Sequence, residues 1–437
     1  MSINTEALLT KFKADFLNDG RSESDAPEDV VFDPKAMDIT ATDDYRIIQE
    51  MREFYSREGR HNPYFLPRKG RISDRVSVQE REYISYSGYN YLGLSDDERV
   101  IHAAQKALDV YGTHAGAARM VGGEIALHQE MERTFADAFG FEECVASVGG
   151  YMVNVMTIGY LLGSGDVVFM DEYMHNSGMM GGVMAHARRV LFPHNDLAAL
   201  ERLLQQNRNR YSRAMILVEG AYSMDGDLAD LPRLLDLKRK YRAWLMVDEA
   251  HSLGVVGATG RGVCEHWNVD PRDVDIIMGT LSKSFASCGG FIGGSREMIA
   301  TMRHFAPGLL LYSTGLPPAS TAAALEALRI MLQEPERVRK LQHNAHLFVQ
   351  LARERGLEVG CSGASAVVPV MLGESSLALQ LMSDLMESGI IAHAVMYPVV
   401  PRNKARLRFF LTARHTEAQF VHTLDLLQKL MQRYQAG

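Results

Sequence analysis

Lys283 lies between two serines in the segment GTLSKSF, directly after the run VDIIM, which is apolar except for one aspartate. A lone lysine is most often a hydrated surface residue. A lysine that forms a Schiff base must instead lose its proton near neutral pH, which burial and neighbouring positive groups favour because they destabilise the ammonium ion. Thr280 and Ser282 flank it with hydroxyl groups that can donate hydrogen bonds to a phosphate. The segment therefore predicts a lysine used in covalent chemistry, provided that the rest of the chain supplies its partners.

Candidate partners follow two other apolar segments. Asp248 ends the run AWLMVD, and Gly149 and Gly150 precede the possible helix YMVNVMTIGYLL. A helix that begins at glycines leaves backbone amides at its N-terminus, where anions bind well. Pyridoxal phosphate requires a lysine, a carboxylate opposite its pyridine nitrogen and donors around its phosphate. We therefore predict pyridoxal 5′-phosphate as the cofactor, with Asp248 keeping the ring nitrogen protonated.

The predicted elements would bring these residues to one place. Helical segments such as LAALERLLQQN and LPRLLDLKRKY alternate with short apolar strands. The predicted strands are ECVASVG, DVVFMD, RRVLFPH, AMILVEG, AWLMVD, DIIMGT and GGFIGG. This alternation predicts an α/β fold with a large, mostly parallel seven-stranded sheet covered by helices. Because ligands of such sheets lie beyond the carboxyl ends of the strands, the residues that follow each strand form the candidate site.

The chain is expected to have three parts. An N-terminal extension and arm over residues 1–88 contains two helical segments, separated by the acidic, proline-containing linker RSESDAPEDVVFDPKAMD. The second of these helical segments is DDYRIIQEMREFYSREG. A large cofactor-binding domain is predicted over residues 89–318, and a small C-terminal α+β domain over residues 319–437, after the two prolines of STGLPPAS.

Composition argues against several classes of protein. The chain has 437 residues, of which 46% are hydrophobic and 23% are charged, and its formal net charge is −8. This composition is ordinary for a globular protein, and the negative charge argues against nucleic acid or anionic lipid as a partner. The four cysteines fit no metal-binding spacing, so we expect reduced thiols and no metal site. With no apolar signal segment and no run of transmembrane length, we expect a cytoplasmic protein without a membrane span.

Nine motifs in sequence order resemble those of the α-oxoamine synthases, a family of pyridoxal-phosphate enzymes of fold type I. They are YNYLGLS, GGYMVN, DEYMHNS, FPHND, EGAYSMDGDLADL, VDEAHSLGVVGATGRGV, GTLSKSF, YSTGLPP and ARLRFFLTARHT. The resemblance implies an acyltransferase that joins a small amino acid to an acyl thioester with loss of carbon dioxide, which gives an α-aminoketone. It also implies a homodimer.

By this resemblance, four residues are expected to be catalytic. Lys283 would hold the cofactor and remove the α-proton of the substrate, and Asp248 would face the pyridine nitrogen. His251 would bind the ring hydroxyl, and His175, in the motif MHNS, would stack on one face of the ring. Ala250 would pack against the other face.

Further residues match the cofactor and substrate contacts of the family. Ser223 would make a polar contact near the ring hydroxyl. Asn90 and Arg408 would bind the substrate carboxylate, for which a planar guanidinium is well suited. The expected phosphate contacts are Gly150, Tyr151, Thr280 and Ser282 of one subunit with Ser313 and Thr314 of the second subunit.

Ala118 bears on which amino acid is accepted. It lies in GTHAGAARMVGG, at the position where glycine-specific relatives have threonine, so its smaller side chain leaves room for a substituent on the α-carbon. We expect alanine or serine as the substrate, with glycine accepted less well. Met396 stands where serine palmitoyltransferases have an arginine, which argues against a sphingolipid role.

Several alternatives stay open on the sequence alone. The thioester could be carried by coenzyme A or by an acyl carrier protein. An aminotransferase or an aldolase of the same fold is the first rival reading, and a non-catalytic subunit is the second.

Other polar and sulphur-containing residues have plainer expected roles. The histidines expected to be structural are His114, His128, His194 and His415. The acidic residues expected to cap helices or lie in loops are Asp227, Asp230 and Glu249. The methionines that could either line an acyl tunnel or fill the core are Met174, Met179, Met180 and Met184.

Overall fold

The computed structural model describes residues 35–57, 62–397 and 399–436. The helix predicted nearest the N-terminus and the first part of the acidic linker lie outside the described residues. By its contacts the chain divides into two units, residues 1–62 and residues 63–437.

The described part of the first unit contains one of the two predicted N-terminal helices. Helix α1 (Asp43–Arg57) confirms the helix predicted from DDYRIIQEMREFYSREG. Two aspartates in its first turn and Arg57 in its last turn stabilise the helix by interacting favourably with the helix dipole.

Helices and strands alternate through the second unit. Its described α-helices are α2 (Glu98–Tyr111), α3 (Ala126–Phe139), α4 (Gly150–Leu161), α5 (Asn176–Met184), α6 (Leu197–Asn207), α7 (Leu231–Tyr241), α8 (Val263–His266), α9 (Arg296–Phe305), α10 (Pro318–Gln333), α11 (Glu336–Glu354), α12 (Ser375–Glu387) and α13 (Glu417–Ala436). Its described strands are β1 (Arg68–Lys69), β2 (Arg75–Val78), β3 (Arg81–Ser85), β4 (Glu143–Ser147), β5 (Val167–Asp171), β6 (Arg188–Phe192), β7 (Ala214–Glu219), β8 (Trp244–Asp248), β9 (Ile276–Thr280), β10 (Gly290–Gly294), β11 (Val367–Gly373), β12 (Ile390–Ile391), β13 (His393–Val395) and β14 (Ala405–Phe410).

The predicted seven-stranded sheet is confirmed, strand for strand. Its order is β4-β10-β9-β8-β7-β5-β6. Strands β6, β5, β7, β8 and β9 pair in parallel, and β10 is antiparallel to both β9 and β4. The sheet is therefore mostly parallel, as the alternation of helices and strands predicts.

Apolar side chains cover both faces of this sheet. On one face, Phe135 of α3 packs edge-on against Phe285 and Phe291, with ring centroids 5.0 and 4.9 Å apart. On the other face, the buried side chains include Met170 and Met246. Because both faces are covered, inner strands such as β5 and β7 are buried along their whole length and do not alternate between polar and apolar residues.

Two smaller sheets complete the second unit. Strands β1, β2, β3 and β12 form one of them, in which Ile390 of β12 pairs with Ile84 of β3. Strands β11, β14 and β13 form the other, an antiparallel sheet in which His393 lies opposite Arg408. The domain boundaries proposed after residues 88 and 318 stay predictions.

The large sheet brings the ends of several strands to one edge. Strands β4, β5, β7, β8 and β9 run in the same direction, so their carboxyl ends lie together there. The residues that follow these ends are the ones that the sequence singles out.

Candidate active site

Lys283 is partly buried three residues beyond the end of β9. Its Nζ atom lies 5.5 Å from the centroid of the Tyr89 ring. Burial lowers the pKa of Lys283 to about 8; the carboxylates of Asp248 and Glu219 oppose this shift and the Arg408 guanidinium adds to it. A larger fraction of this amine is therefore neutral and nucleophilic near neutral pH than in an ordinary lysine.

Asp248 ends β8 and is fixed at both carboxylate oxygens. Its Oδ2 atom accepts a 2.7 Å hydrogen bond from Nδ2 of Asn154, and its Oδ1 atom accepts a 2.9 Å bond from the amide of Ala250. Asn154 lies on α4 and also donates to Oγ of Ser177, at 2.8 Å. Sequence reasoning missed Asn154 as a site residue, although it is the last residue of the quoted motif GGYMVN.

His251 lies in the loop after β8 and is held as a neutral ring. Burial, together with the positive charges of Lys283 and Arg408, lowers its pKa well below the ordinary value. Its Nδ1 atom lies 2.7 Å from the hydroxyl of Tyr91, whose own pKa is raised by burial. With Tyr91 donating to Nδ1, the neutral ring carries its proton on Nε2, which can donate to a ligand.

His175 ends the loop between β5 and α5 as the N-cap residue of α5, and a buried carboxyl group anchors its backbone. Its backbone amide donates to Oε1 of Glu219 at 2.8 Å, and its Nδ1 atom lies 2.8 Å from Oγ of Ser177. The ring stays accessible to solvent. Partial desolvation, together with the positive charges of Lys283 and Arg408, lowers the pKa of His175. Glu219 is a second residue that sequence reasoning missed.

Glu219 lies beside Asp248 at the end of the neighbouring strand. The two residues pair in the register of β7 and β8. Burial and the Asp248 carboxylate raise the pKa of Glu219 to about 8. Its Oε2 atom accepts a 2.9 Å hydrogen bond from the amide of Ser223, so one carboxyl group binds amides in two loops that carry predicted site residues.

The first turn of α4 and the start of the Lys283 loop form a polar cradle. The hydroxyls of Thr280 and Ser282 lie 2.8 Å apart, and a Cβ atom on Gly150 would lie 2.9 Å from Oγ1 of Thr280. A Cβ on Gly290 would lie 2.5 Å from the Cα of Gly150, so glycine at both positions lets the helix approach the sheet. Tyr151 is exposed at the cradle's edge, with its ring 6.3 Å from that of His175.

Ser223 and Arg408 meet at the end of β7. Nη1 of Arg408 donates to the carbonyl oxygen of Ser223 at 2.9 Å. Within the described part of the chain, the buried Nε atom of Arg408 has no hydrogen-bond acceptor, and the buried Oγ atom of Ser223 lies near Glu219 without a well-directed bond. Both atoms are therefore suited to a ligand that enters from the site.

Four predicted site residues are not joined to this cluster by a hydrogen bond among the described residues. Ala118 and Thr314 pair through their backbones, and the partly buried Ser313 precedes this bridge. Asn90 is buried in a turn. Its side chain donates a hydrogen bond to the carbonyl of Ile72 and accepts hydrogen bonds from the backbone amides of Leu94 and Ser95. Their roles toward substrate and phosphate stay predictions.

The remaining histidines and methionines separate into different environments. His114, His128 and His415 bind nearby backbone groups, while His194 lies between two carboxylates. Met174 is buried, whereas Met180 and Met184 are 39% and 44% exposed, so these methionines do not share one core position.

The donors and acceptors fit pyridoxal phosphate. Lys283 supplies an amine of lowered pKa, and Asp248 an anchored carboxylate. The Gly150 helix start, with Thr280 and Ser282, supplies amides and hydroxyls where an added Cβ would not fit. This set can hold a phosphate at one end and a protonated ring nitrogen at the other. Within the described residues, no cluster of histidine, cysteine or carboxylate side chains forms a metal site, and no helix is long and apolar enough to span a membrane.

Comparisons with known proteins agree with this geometry. Residues 81–427 match the family described as aminotransferase class I and II. The chain is 38% identical to 8-amino-7-oxononanoate synthase of Thermoanaerobacter pseudethanolicus, over 82% of this chain and 89% of that protein. A serine palmitoyltransferase structure with pyridoxal phosphate superposes with a TM-score of 0.84 at 28% identity, covering 89% of this chain and 97% of that one. An 8-amino-7-oxononanoate synthase structure from Francisella tularensis superposes with a TM-score of 0.71 at 26% identity, covering 80% of this chain and 98% of that one.

Proposed function

The chain belongs to the aminotransferase class I and II family, in its α-oxoamine synthase branch, and on this premise we propose its substrates, residue roles and subunit arrangement. It is a pyridoxal-phosphate-dependent acyltransferase that condenses an amino acid with an acyl thioester and releases carbon dioxide. The substrate we propose is alanine, with serine as the second choice and glycine a poorer one. Support comes from the methyl side chain of Ala118 and from the similarity to proteins named 8-amino-7-oxononanoate synthase.

The cofactor, when bound, draws electron density away from the α-carbon of the amino acid. In our proposal Lys283 holds the cofactor, and its neutral amine takes the α-proton and later returns a proton to the product. Asp248, fixed by Asn154, keeps the pyridine nitrogen protonated, and His251 donates from Nε2 to the ring hydroxyl. The cradle of Gly150, Thr280 and Ser282 holds the phosphate.

Bond making and bond breaking then involve the two substrates. The α-carbon attacks the thioester carbonyl, a carbon–carbon bond forms, the carbon–sulphur bond breaks and the thiol leaves. Arg408 and His175 hold the amino-acid carboxylate until it departs as carbon dioxide. The unpaired Nε atom of Arg408 is the donor that we assign to this carboxylate.

We further propose a homodimer in which Ser313 and Thr314 contact the phosphate of the other subunit. Large apolar side chains next to them are exposed: Tyr312 is 69% exposed, and Val121, beside the loop that pairs with Thr314, is 75% exposed. An exposed apolar patch at a polar site is typical of an interaction surface. We also propose that the protein is cytoplasmic. The thiol of the acyl thioester is that of coenzyme A or of an acyl carrier protein.

The observation that carries the proposal is Lys283, with its lowered pKa, among Asp248, Glu219 and Arg408. A panel of amino acids added to the holoenzyme tests it. Alanine should change the visible absorbance of bound pyridoxal phosphate most strongly, and thiol should be released when coenzyme A thioesters of varied chain length are then added. Conversion of the amino acid to its 2-oxo acid, without thiol release, would instead identify an aminotransferase.

A further inference from the structure

His194 is held between two carboxylates outside the predicted cofactor contacts. Its Nδ1 atom lies 3.0 Å from Oδ1 of Asp171, at the end of β5, and its Nε2 atom lies 3.0 Å from Oδ2 of Asp227. Both ring nitrogens therefore donate, which requires a doubly protonated, positively charged ring. Burial alone would lower its pKa, but the two carboxylates outweigh burial and raise the pKa of His194 to about 10.

Two tyrosines enclose the ring and extend its contacts. Tyr173 stacks on it at a centroid distance of 4.4 Å, and Tyr222 meets it edge-on at 4.5 Å. The Tyr222 hydroxyl donates to Oδ2 of Asp171 at 3.0 Å. Asp171 thus receives hydrogen bonds from both His194 and Tyr222, which ties the end of β5 to the loop after β7.

Tyr222 and Asp227 are the two ends of a tight turn, residues 222–227, here named the Ser223 turn. The amide of Tyr222 donates to the carbonyl of Asp227 at 2.9 Å, and the amide of Gly226 donates to the carbonyl of Tyr222 at 2.8 Å. Gly226 has a φ of +74°, and a Cβ there would lie 2.0 Å from the carbonyl oxygen of Val367. The turn is therefore pressed against β11, and His194 contacts both of its ends.

The Ser223 turn holds the arginine that we assign to the substrate carboxylate. The Ser223 carbonyl accepts the 2.9 Å hydrogen bond from Nη1 of Arg408. Arg406, two residues earlier on β14, forms an ion pair with Asp225 in the same turn. Among the described residues, no hydrogen bond joins His194 to Arg408 directly, and the Ser223 turn contacts both of them.

We propose that His194 is a positioning residue for amino-acid binding: held by Asp171 and Asp227, it fixes the Ser223 turn and thereby the direction in which Arg408 presents its guanidinium. This inference rests on the proposed function, because it takes Arg408 as the group that binds the carboxylate. Loss of the two-sided contact should release one end of the turn and misdirect the guanidinium, and small misplacements of binding groups have large effects on reaction geometry.

The test compares two ligands that differ in the carboxylate. L-Alanine and L-alaninamide are titrated into the full-length holoenzyme, and binding is read from the visible absorbance of bound pyridoxal phosphate. Wild type should bind L-alanine more tightly. His194→Gln replaces two donor nitrogens on opposite sides of a ring by one amide nitrogen, so the preference for L-alanine should fall by roughly tenfold, with unchanged cofactor content.

A matched control separates positioning from general destabilisation. His415 is also a buried histidine, but its Nδ1 atom accepts from the amide of Thr412, away from the Ser223 turn. His415→Gln should lower the melting temperature and leave the ligand preference unchanged. Should His194→Gln fail to fold, Asp227→Asn, which keeps the side-chain size and removes one charge, should reduce the preference in the same direction.

The outcomes distinguish the two proposals. If folded His194→Gln or Asp227→Asn keeps the full wild-type preference for L-alanine, the positioning role is overturned. The proposed function is unaffected by that result. A wild-type holoenzyme that binds L-alanine no better than L-alaninamide would overturn the assignment of Arg408, and the positioning role with it.

Discussion

The sheet-edge cluster around Lys283 and the bridge between Ala118 and Thr314 are both predicted to line the site, yet they are built differently. Asp248 and Ser223 are 4% exposed, and each accepts a hydrogen bond from a neighbouring helix or strand. Thr314 is exposed, and its backbone pairs with that of Ala118. The first region is preorganised within one chain, as groups that hold a cofactor must be. The second resembles half of a contact, which a second copy of the chain would complete.

The largest expected effect comes from removing the centre of the sheet-edge cluster. Lys283→Ala should abolish the condensation, because it removes both the covalent hold on the cofactor and the amine that takes the α-proton. Product formation and the visible absorbance of bound cofactor measure the two losses. Lys240→Ala, which removes a surface lysine paired with Glu201, is the matched control and should keep full activity. Wild-type turnover by Lys283→Ala would refute the assignment.

Changes in the exposed region should abolish activity for a different reason, because they remove a contact that one subunit makes with the phosphate bound in the other. Ser313→Asp combined with Thr314→Asp should repel the phosphate of the partner subunit and nearly eliminate activity. Mixed with the inactive Lys283→Ala protein, it should form hybrid dimers that have one intact site, and roughly a quarter of the wild-type activity should return. A monomer in sedimentation that still turns over, or the absence of rescue on mixing, would count against the shared site.

Ala118 offers a change of specificity in the same exposed region. Ala118→Thr should shift preference from alanine towards glycine by roughly tenfold or more, because the larger side chain takes the space of the α-substituent. The ratio of kcat/KM for the two amino acids measures the shift. Strict specificity for glycine in the wild type would show that Ala118 does not control access.

A smaller effect is expected at Asn154, which supports the cluster from α4. Asn154→Ala removes the hydrogen bond to the Asp248 carboxylate, and bonds to charged groups contribute about 1.5–3 kcal/mol, so kcat/KM should fall on the order of tenfold. Asn344→Ala is the control, since this buried amide donates to the carbonyls of Thr412 and His415. It should cost stability without changing the absorbance of bound cofactor. Equal kinetic effects of both variants would argue against a special role for Asn154.

The smallest predicted effect is a pH dependence of cofactor uptake. After removal of the cofactor, the neutral amine of Lys283 should be the reactive form, and its pKa is lowered to about 8. The rate of recombination should therefore rise with pH up to about 8 and level off above it, with Asp248, Glu219 and Arg408 as the ionisable groups facing the amine. A rate that keeps rising to about pH 10, the ordinary range for lysine, would contradict the lowered pKa.

The large sheet could be predicted almost completely from the sequence, whereas a short strand such as β12 could not. Each of its seven strands contains a short apolar run next to polar or glycine residues, so local pattern suffices. Strand β12 has two residues, and it exists because Ile390 pairs with Ile84 far away in the chain. A contact of that kind leaves no periodic signal in either segment.

The candidate site divides in the same way. Lys283, Asp248 and His175 follow predicted strands, so parallel topology alone places them at one edge. Asn154 and Glu219 were missed because their importance lies in contacts between elements: a helix side chain reaching Asp248, and a strand end that binds the amides of two loops. The register of β7 against β8, which sets Glu219 beside Asp248, follows from packing and cannot be read from either strand.

A carbon balance separates condensation from its rivals. The holoenzyme is given L-alanine labelled in its carboxyl carbon together with the acyl-coenzyme A that releases most thiol, and labelled carbon dioxide, thiol and aminoketone are measured together. Decarboxylative condensation predicts equal amounts of all three, and none of them from Lys283→Ala. Thiol release without labelled carbon dioxide, or pyruvate that retains the label, would contradict the reaction assigned to this site.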